Sequence, residues 1–124
     1  MRKRRFLLVA GACLASLSLA VGTALADPPA NTFRNLAGTG SDTTQGVMNA
    51  LGNGVSGGFP GIQIGGANQI ASYDAIGASP IVTKDPNVNP NCSLSPRPIN
   101  SGQGINLLVS ERTANHHCLQ FARS

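Results

Sequence analysis

The stretch Gly38-Thr39-Gly40-Ser41-Asp42-Thr43-Thr44-Gln45 organises the predicted fold of this 124-residue chain. A short apolar run at 33–37 precedes it, and apolar residues at helical spacing follow it. This order predicts a strand at 33–37, then a glycine turn, then a helix from 43 to about 51. The side chains expected to share one face of that helix are Val47, Met48 and Leu51.

The start of this predicted helix carries residues that are suited to capping. Ser41 or Asp42 is a suitable N-cap, and Gln45 follows Asp42 by three residues, as in a capping box. A helix N-terminus also has unpaired N–H groups and the positive end of the helix dipole. The stretch is therefore either an ordinary capped helix after a tight turn or a binding site for an anion.

A second glycine-rich turn, Asn100-Ser101-Gly102-Gln103-Gly104, also leads into a helical pattern, and a strand is predicted after it at 118–122. The carboxyl ends of parallel strands meet at one edge of a sheet, so both turns are expected at that edge. The pattern predicts an α/β fold with a mixed or parallel sheet and flanking helices. The apolar residues of the second helix are Ile105, Leu108 and Val109.

The region between the two turns is predicted to contain only short elements. Short strands are expected at 62–64, 70–75 and 80–83. The segment 84–98 has four prolines and three asparagines and is predicted to be a loop. Because so long a loop is unusual in a small domain, it should be anchored, and Cys92 could anchor it.

The first 26 residues have the pattern of a secretory signal peptide. Basic residues at 2–5 precede an apolar run at 6–20, and Ala24-Leu25-Ala26 is a small-x-small cleavage site. Cleavage after Ala26 predicts a protein that is secreted or held in the extracytoplasmic cell envelope. The alternative is an uncleaved anchor, since residues 6–25 could just span a bilayer.

The net charge of +4 comes entirely from this leader. Four of the nine Lys and Arg lie in it, so residues 27–124 carry five basic and five acidic side chains. A neutral domain argues against a nucleic-acid partner, because such binding depends on excess positive charge.

Two cysteines remain after the leader, Cys92 and Cys118. An even pair in an exported protein predicts a disulfide. The alternative is a metal site formed by Cys118 with His116 and His117, but adjacent histidines point apart in a strand and no fourth ligand has a recognisable spacing. We therefore predict no metal and two surface histidines in a turn.

Four segments in order, 37–45, 70–75, 97–104 and 118–124, carry a resemblance to a known family. They are AGTGSDTTQ, IASYDA, RPINSGQG and CLQFARS. Together they resemble the beginning of exported phosphate-binding proteins, the substrate-binding components of phosphate ABC transporters, and especially the actinobacterial branch. Members have two α/β lobes, hold phosphate in the cleft through backbone N–H and hydroxyl donors, and are usually much longer.

The resemblance implies that residues 27–124 are a truncated part of the first lobe. Ser41, Asp42 and Thr43 match the first phosphate loop, Ser101 and Gly102 match the second, and Ser124 begins the third. It further implies two partners, inorganic phosphate and an ABC-transporter permease, with no cofactor and no catalysis. This chain departs from the family at Asn100, where that branch often has glycine, and in the third loop, which is cut off.

The leading function is therefore extracytoplasmic phosphate binding, weak or absent in this chain alone because half of the cleft is missing. Asp42 either caps its helix or accepts the proton of hydrogen phosphate, which sulfate lacks, and the complete protein should prefer phosphate. One alternative is a small secreted structural or interaction domain with no small ligand. The other is a serine hydrolase with His116 or His117 as base, although nothing in the sequence places either histidine near a serine.

Overall fold

The structure is a computed structural model that describes residues 27–124, and the predicted signal peptide lies outside the described residues. Within these described residues, two helices and seven short strands follow one another. They are β1 (Leu36–Gly40), α1 (Gln45–Asn53), β2 (Gln63–Ile64), β3 (Ala67–Asn68), β4 (Ile70–Ser72), β5 (Ile81–Val82), β6 (Ser93–Leu94), α2 (Ser101–Thr113) and β7 (Phe121–Arg123).

The central sheet has three parallel strands in the order β4-β1-β7. Helix α1 packs on β4, and α2 packs on β1 and β7. The pairs β2-β3 and β5-β6 are small antiparallel ribbons outside this sheet. The predicted α/β class with a parallel sheet and flanking helices is confirmed.

At the centre of the sheet the core is made of small side chains, because β1 has the sequence Leu-Ala-Gly-Thr-Gly and β4 has Ile-Ala-Ser. Ala37 and Ala71 are register partners in the sheet and are both fully buried. At Gly38 the ring of Phe121 occupies the space that a Cβ would need. Leu107 and Leu108 of α2 close the cluster, whose buried members are Ala37, Ala71, Tyr73, Ile81, Cys92, Leu94, Cys118 and Leu119.

The predicted disulfide between Cys92 and Cys118 is confirmed. Both residues are buried, and the bond ties the proline-rich segment to the chain just before β7. The prediction that 84–98 is entirely loop is wrong at one place. Ser93–Leu94 pairs with β5, because Cys92 is anchored by the disulfide and its carbonyl accepts a hydrogen bond from the N–H of Thr83 at 3.0 Å.

Several predicted boundaries are displaced. Strand β1 begins at Leu36 and continues through Gly40, so the two glycines belong to the strand, where neighbouring groups fill their Cβ space. Helix α1 begins at Gln45, two residues later than predicted, after a turn closed by the N–H of Gln45 and the carbonyl of Asp42 at 3.2 Å. The predicted inward face of α1 is also wrong in part, because Val47 is 65% exposed.

The last strand is displaced as well, since it covers Phe121–Arg123 and not 118–122. The disulfide holds Cys118 before the strand begins, and the strand reaches Arg123 because that residue pairs with Gly40. Within residues 27–124, neither helix has the length and apolar character needed to cross a bilayer.

Candidate functional site

The three parallel strands end together at one edge of the sheet, after Gly40, Ser72 and Arg123. Gly40 and Arg123 are register partners, and the N–H of Ser41 donates to the carbonyl of Arg123 at 3.1 Å. The first and third stretches of the predicted site are therefore adjacent. Ser124 follows Arg123 directly and is exposed.

The second stretch approaches the same edge through α2. Gly104 packs so closely on β1 that an added Cβ would lie 2.6 Å from the Cα of Gly40 and 3.0 Å from the carbonyl oxygen of Thr39. Ser101 and Gly102 belong to the same helical turn as Gly104. The N-terminus of α2 thus begins beside the end of β1, as the sequence predicts.

Arg123 lies beneath this edge of the sheet, and only 3% of the surface of this residue is exposed. Its Nε donates to the carbonyl of Ser41 at 2.9 Å, and its Nη1 donates to Oγ of Ser72 at 2.7 Å. Its Nη2 donates to the carbonyl of Gly40 at 3.3 Å. One guanidinium group therefore connects the ends of β1, β4 and β7.

The charge of Arg123 has no direct partner. In the part of the chain that the structure describes, no carboxylate lies within ion-pair distance of it. Burial lowers the pKa of Arg123, while the more distant carboxylates of Asp74 and Asp27 act in the opposite sense. Because an arginine stays protonated in proteins, the edge holds a buried positive charge.

The first predicted loop is open at the N-terminus of α1. The capping-box prediction is wrong, because the N-cap is Thr44 and no side chain caps the helix. The side-chain oxygen of Gln45 accepts instead from the N–H of Ala75 at 2.7 Å, which ties α1 to the chain after β4. Ser41 is buried and its Oγ accepts from the N–H of Thr43 at 3.2 Å, whereas Asp42 and Thr43 are exposed.

The second predicted loop is capped. Oδ1 of Asn100 accepts from the N–H of Gln103 at 2.9 Å, and Oε1 of Gln103 accepts from the N–H of Ile99 at 3.0 Å. Asn100 has extended backbone angles, φ −153° and ψ 172°, which any residue can adopt. Asparagine can therefore stand where glycine is common in the resembling family. Ser101 is half-buried and Gly102 is exposed beside this cap.

Sequence reasoning missed Arg123, Ser72 and Asp74. Oδ1 of Asp74 accepts from Nδ2 of Asn49 at 2.7 Å and so connects the end of β4 to α1. A single cation at the end of an otherwise apolar strand pattern could have indicated Arg123. Its contacts with residues some eighty positions earlier are tertiary and have no signal in the local pattern.

Two cavities of the described residues lie away from this edge. One of about 560 Å³ is lined by residues 27–30 with Arg34 and Asn53, and another of about 360 Å³ adds Tyr73 and Arg97 to the same segment. Neither contains a residue of the predicted phosphate loops. At the carboxyl edge, Asp42, Thr43, Gly102 and Ser124 are exposed, so the predicted loops face an open surface.

Each of the two histidines has a side-chain partner that is not a serine. Nδ1 of His116 lies 3.2 Å from Oε2 of Glu111, and Nε2 of His117 lies 2.7 Å from Oδ1 of Asn115. Among residues 27–124, neither histidine side chain hydrogen-bonds a serine.

Comparisons with protein-family models, with curated proteins and with solved structures found no match to this chain.

Proposed function

We propose that the chain binds inorganic phosphate at the carboxyl edge of the sheet β4-β1-β7. In this proposal residues 27–124 form part of the first lobe of an extracytoplasmic phosphate-binding protein that serves an ABC transporter. The observation that carries the proposal is the buried guanidinium of Arg123, which has no carboxylate partner within residues 27–124 and lies beside the N-termini of α1 and α2. A positive charge and two helix N-termini at one edge favour an anion.

The proposed donors are the groups named from the sequence. The first loop contributes the hydroxyls of Ser41 and Thr43, because the N–H groups of these two residues already donate to Arg123 and to Ser41. The second loop contributes the hydroxyl of Ser101 and the backbone N–H groups of Ser101 and Gly102. Ser124 stands next to the first loop because Arg123 pairs with Gly40. Arg123 acts chiefly through its charge, because its three hydrogen bonds are directed at the backbone and at Ser72.

The expected affinity is low. A helix N-terminus stabilises an anion by about 0.3–1 kcal/mol when exposed and up to about 2 kcal/mol when partly buried. Two such ends give at most about 4 kcal/mol, which corresponds to a millimolar Kd before the cost of association. Tight binding would need further groups that close over the open edge, as a second lobe would.

Asp42 is the proposed source of selectivity. Its side chain caps no helix in the structure and is exposed beside the first loop. Hydrogen phosphate can donate a proton to this carboxylate, whereas sulfate cannot and would leave it unpaired. The edge should therefore prefer phosphate to sulfate.

The test is an NMR titration of the oxidised protein with phosphate and, separately, with sulfate. We expect saturable, millimolar shifts of the amide signals of 41–43, 101–102 and 124 with phosphate and smaller shifts with sulfate. Asp42→Asn should reduce the difference between the two anions without affecting the fold, because Asp42 is exposed. Absence of saturable shifts at these residues would contradict the proposal.

Arg123→Met, compared with Arg112→Met, tests the contribution of the buried charge. Both variants remove one positive charge, but Arg112 is exposed in the last turn of α2, far along the helix from its N-terminus. Binding should weaken in the first variant and stay unchanged in the second. Equal effects would show a general charge effect and would overturn the role given to Arg123, and circular dichroism establishes that each variant is folded.

A further inference from the structure

The opposite end of α2 carries a cluster of metal-binding side chains around the disulfide. One ligand atom each from Glu111, His116 and Cys118 lie within 4.8 Å of one another. Cys92 belongs to the same cluster, because it is bonded to Cys118. The sequence offered no recognisable fourth ligand for Cys118 and His116, and the fold provides both Glu111 and Cys92.

The position of His116 is set by the backbone and not only by the disulfide. After α2 the chain turns through Asn115, which has a positive φ of 59°, and the N–H of His116 donates to the carbonyl of Glu111 at 3.0 Å. This turn brings the imidazole back to the helix. The ring nitrogen Nδ1 then lies 3.2 Å from Oε2 of Glu111.

Glu111 is a largely buried carboxylate beside the disulfide. It is 9% exposed, and its carboxylate has His116 as its only ion-pair partner within residues 27–124. A buried carboxylate is costly unless it is paired or bound to a metal. Beside two sulfur atoms and an imidazole, it completes a set of four donors of the kind that holds zinc.

We propose that reduction of the Cys92–Cys118 disulfide creates a Zn²⁺ site formed by Cys92, Cys118, His116 and Glu111. A dithiol reductant supplies two electrons and two protons, the S–S bond breaks to give two thiols, and the reductant becomes a disulfide. Zn²⁺ then displaces the two thiol protons and binds two thiolates, a neutral imidazole nitrogen and a carboxylate oxygen in tetrahedral geometry.

The site is redox-gated, because the oxidised chain has no thiolate to offer. The metal would join the same two segments as the disulfide, the chain around Cys92 and the chain before β7. The reduced protein could thus retain its fold in a reducing compartment and exchange the metal for the disulfide on oxidation. This inference does not depend on phosphate binding.

Cobalt serves as the probe, because Co²⁺ bound to thiolates gives a charge-transfer band and intense visible bands in tetrahedral geometry. The protein is reduced with a phosphine, since a dithiol would itself bind the metal, and is then titrated with Co²⁺ and back-titrated with Zn²⁺. We expect both sets of bands at one equivalent of metal in the reduced protein. The oxidised protein should show neither set of bands, and its spectrum is the baseline for the titration.

Three variants distinguish a built site from two free thiols. His116→Ala and Glu111→Gln should each weaken Co²⁺ binding at least about tenfold. His117→Ala is the matched control, because His117 is the exposed neighbour outside the cluster, and it should bind as the unchanged protein does.

Two results would overturn the proposal: no thiolate–cobalt bands in the reduced protein, or unchanged binding in both His116→Ala and Glu111→Gln. The second would mean that the thiols bind metal in an unfolded chain. Far-ultraviolet circular dichroism shows whether the reduced protein is folded. Thermal melting with and without Zn²⁺ shows whether the folded form binds the metal, since such binding raises the Tm of the reduced protein.

Discussion

At the scale of single residues, buried arginines hydrogen-bond segments that are far apart in the sequence. Arg34 donates to the carbonyls of Gly52 and Ile70 at 3.1 and 2.6 Å, and Arg123 donates to two carbonyls at the end of β1 and at the following residue. Arg97 forms an ion pair with Asp27 at 2.6 Å. Each guanidinium has five donors, so one side chain can satisfy several backbone acceptors that the short strands leave unpaired.

Tyr73 provides a prediction at this scale. Burial, with a smaller effect of Asp27, raises the pKa of Tyr73 to about 12, and its hydroxyl donates to the carbonyl of Val82 at 2.7 Å. In the unfolded chain the phenol has a pKa of about 10. The folded state then holds the proton more tightly, so its contribution to stability is complete below pH 10 and is lost as the pH rises towards 12.

The measurement is urea unfolding at several pH values across that window, with tyrosinate absorbance as the titration signal. Tyr73 is the only tyrosine in the chain, so the signal is unambiguous. Tyr73→Phe is the control, because Lys84 titrates in both proteins and its contribution cancels in the comparison. An equally steep loss of stability in the Phe variant would refute the assignment to Tyr73.

At the scale of elements, the contact between α2 and β1 positions the candidate site. It depends on glycine facing glycine, Gly104 on Gly40, which lets the helix backbone approach the strand more closely than any side chain would allow. The approach places the capped N-terminus of α2 beside the end of β1. The site geometry is therefore sensitive to a single added methyl group.

Gly104→Ala tests this contact. Its Cβ would lie 2.6 Å from a backbone atom of β1, so α2 must move away, and we expect a loss of about 1–3 kcal/mol in the free energy of unfolding. Gly46→Ala in α1 is the matched control, since no atom lies within 4 Å of its added Cβ. It should be neutral or stabilise by up to about 1 kcal/mol in urea unfolding. Equal behaviour of the two variants would contradict the close-packing argument.

At the scale of the whole molecule, long-range ties hold a small domain with a modest core. The disulfide joins Cys92 to Cys118 across 26 residues, and the Asp27–Arg97 ion pair joins the first described residue to the segment before α2. A domain of this size buries a smaller fraction of its surface than a larger one does. Such ties therefore provide a large share of the net stability.

Reduction of the disulfide in the presence of a metal chelator should lower the free energy of unfolding by about 3–4 kcal/mol on the chain-entropy model. The measurement is urea unfolding of the oxidised and the reduced protein. Cys92→Ser/Cys118→Ser is the control, because it should match the reduced protein and should not respond to the reductant. A loss below about 1 kcal/mol would mean that other contacts hold the two segments together.

The sequence alone was sufficient for the features that depend on local pattern and on counting. Periodicity predicted both helices and the α/β class, and an even pair of cysteines in a chain with a predicted export signal predicted the disulfide. The boundaries moved where tertiary contacts override propensity. Gly38 and Gly40 belong to β1 and not to a turn, because Phe121 and Arg123 occupy the space that their Cβ atoms would need. The side chain of Gln45 does not complete the predicted capping box, because it accepts a hydrogen bond from Ala75.

Only the tertiary structure decided which side chains meet. The charge of Arg123 lies under Ser41 and Ser72 because three parallel strands end at one edge, and strand pairing over eighty residues has no local signature. Glu111 and Cys92 join His116 and Cys118 for the same reason, since a turn after α2 and a cross-link bring distant positions together. Local sequence sets the period of each element, whereas packing sets its register, and register determines the candidate sites.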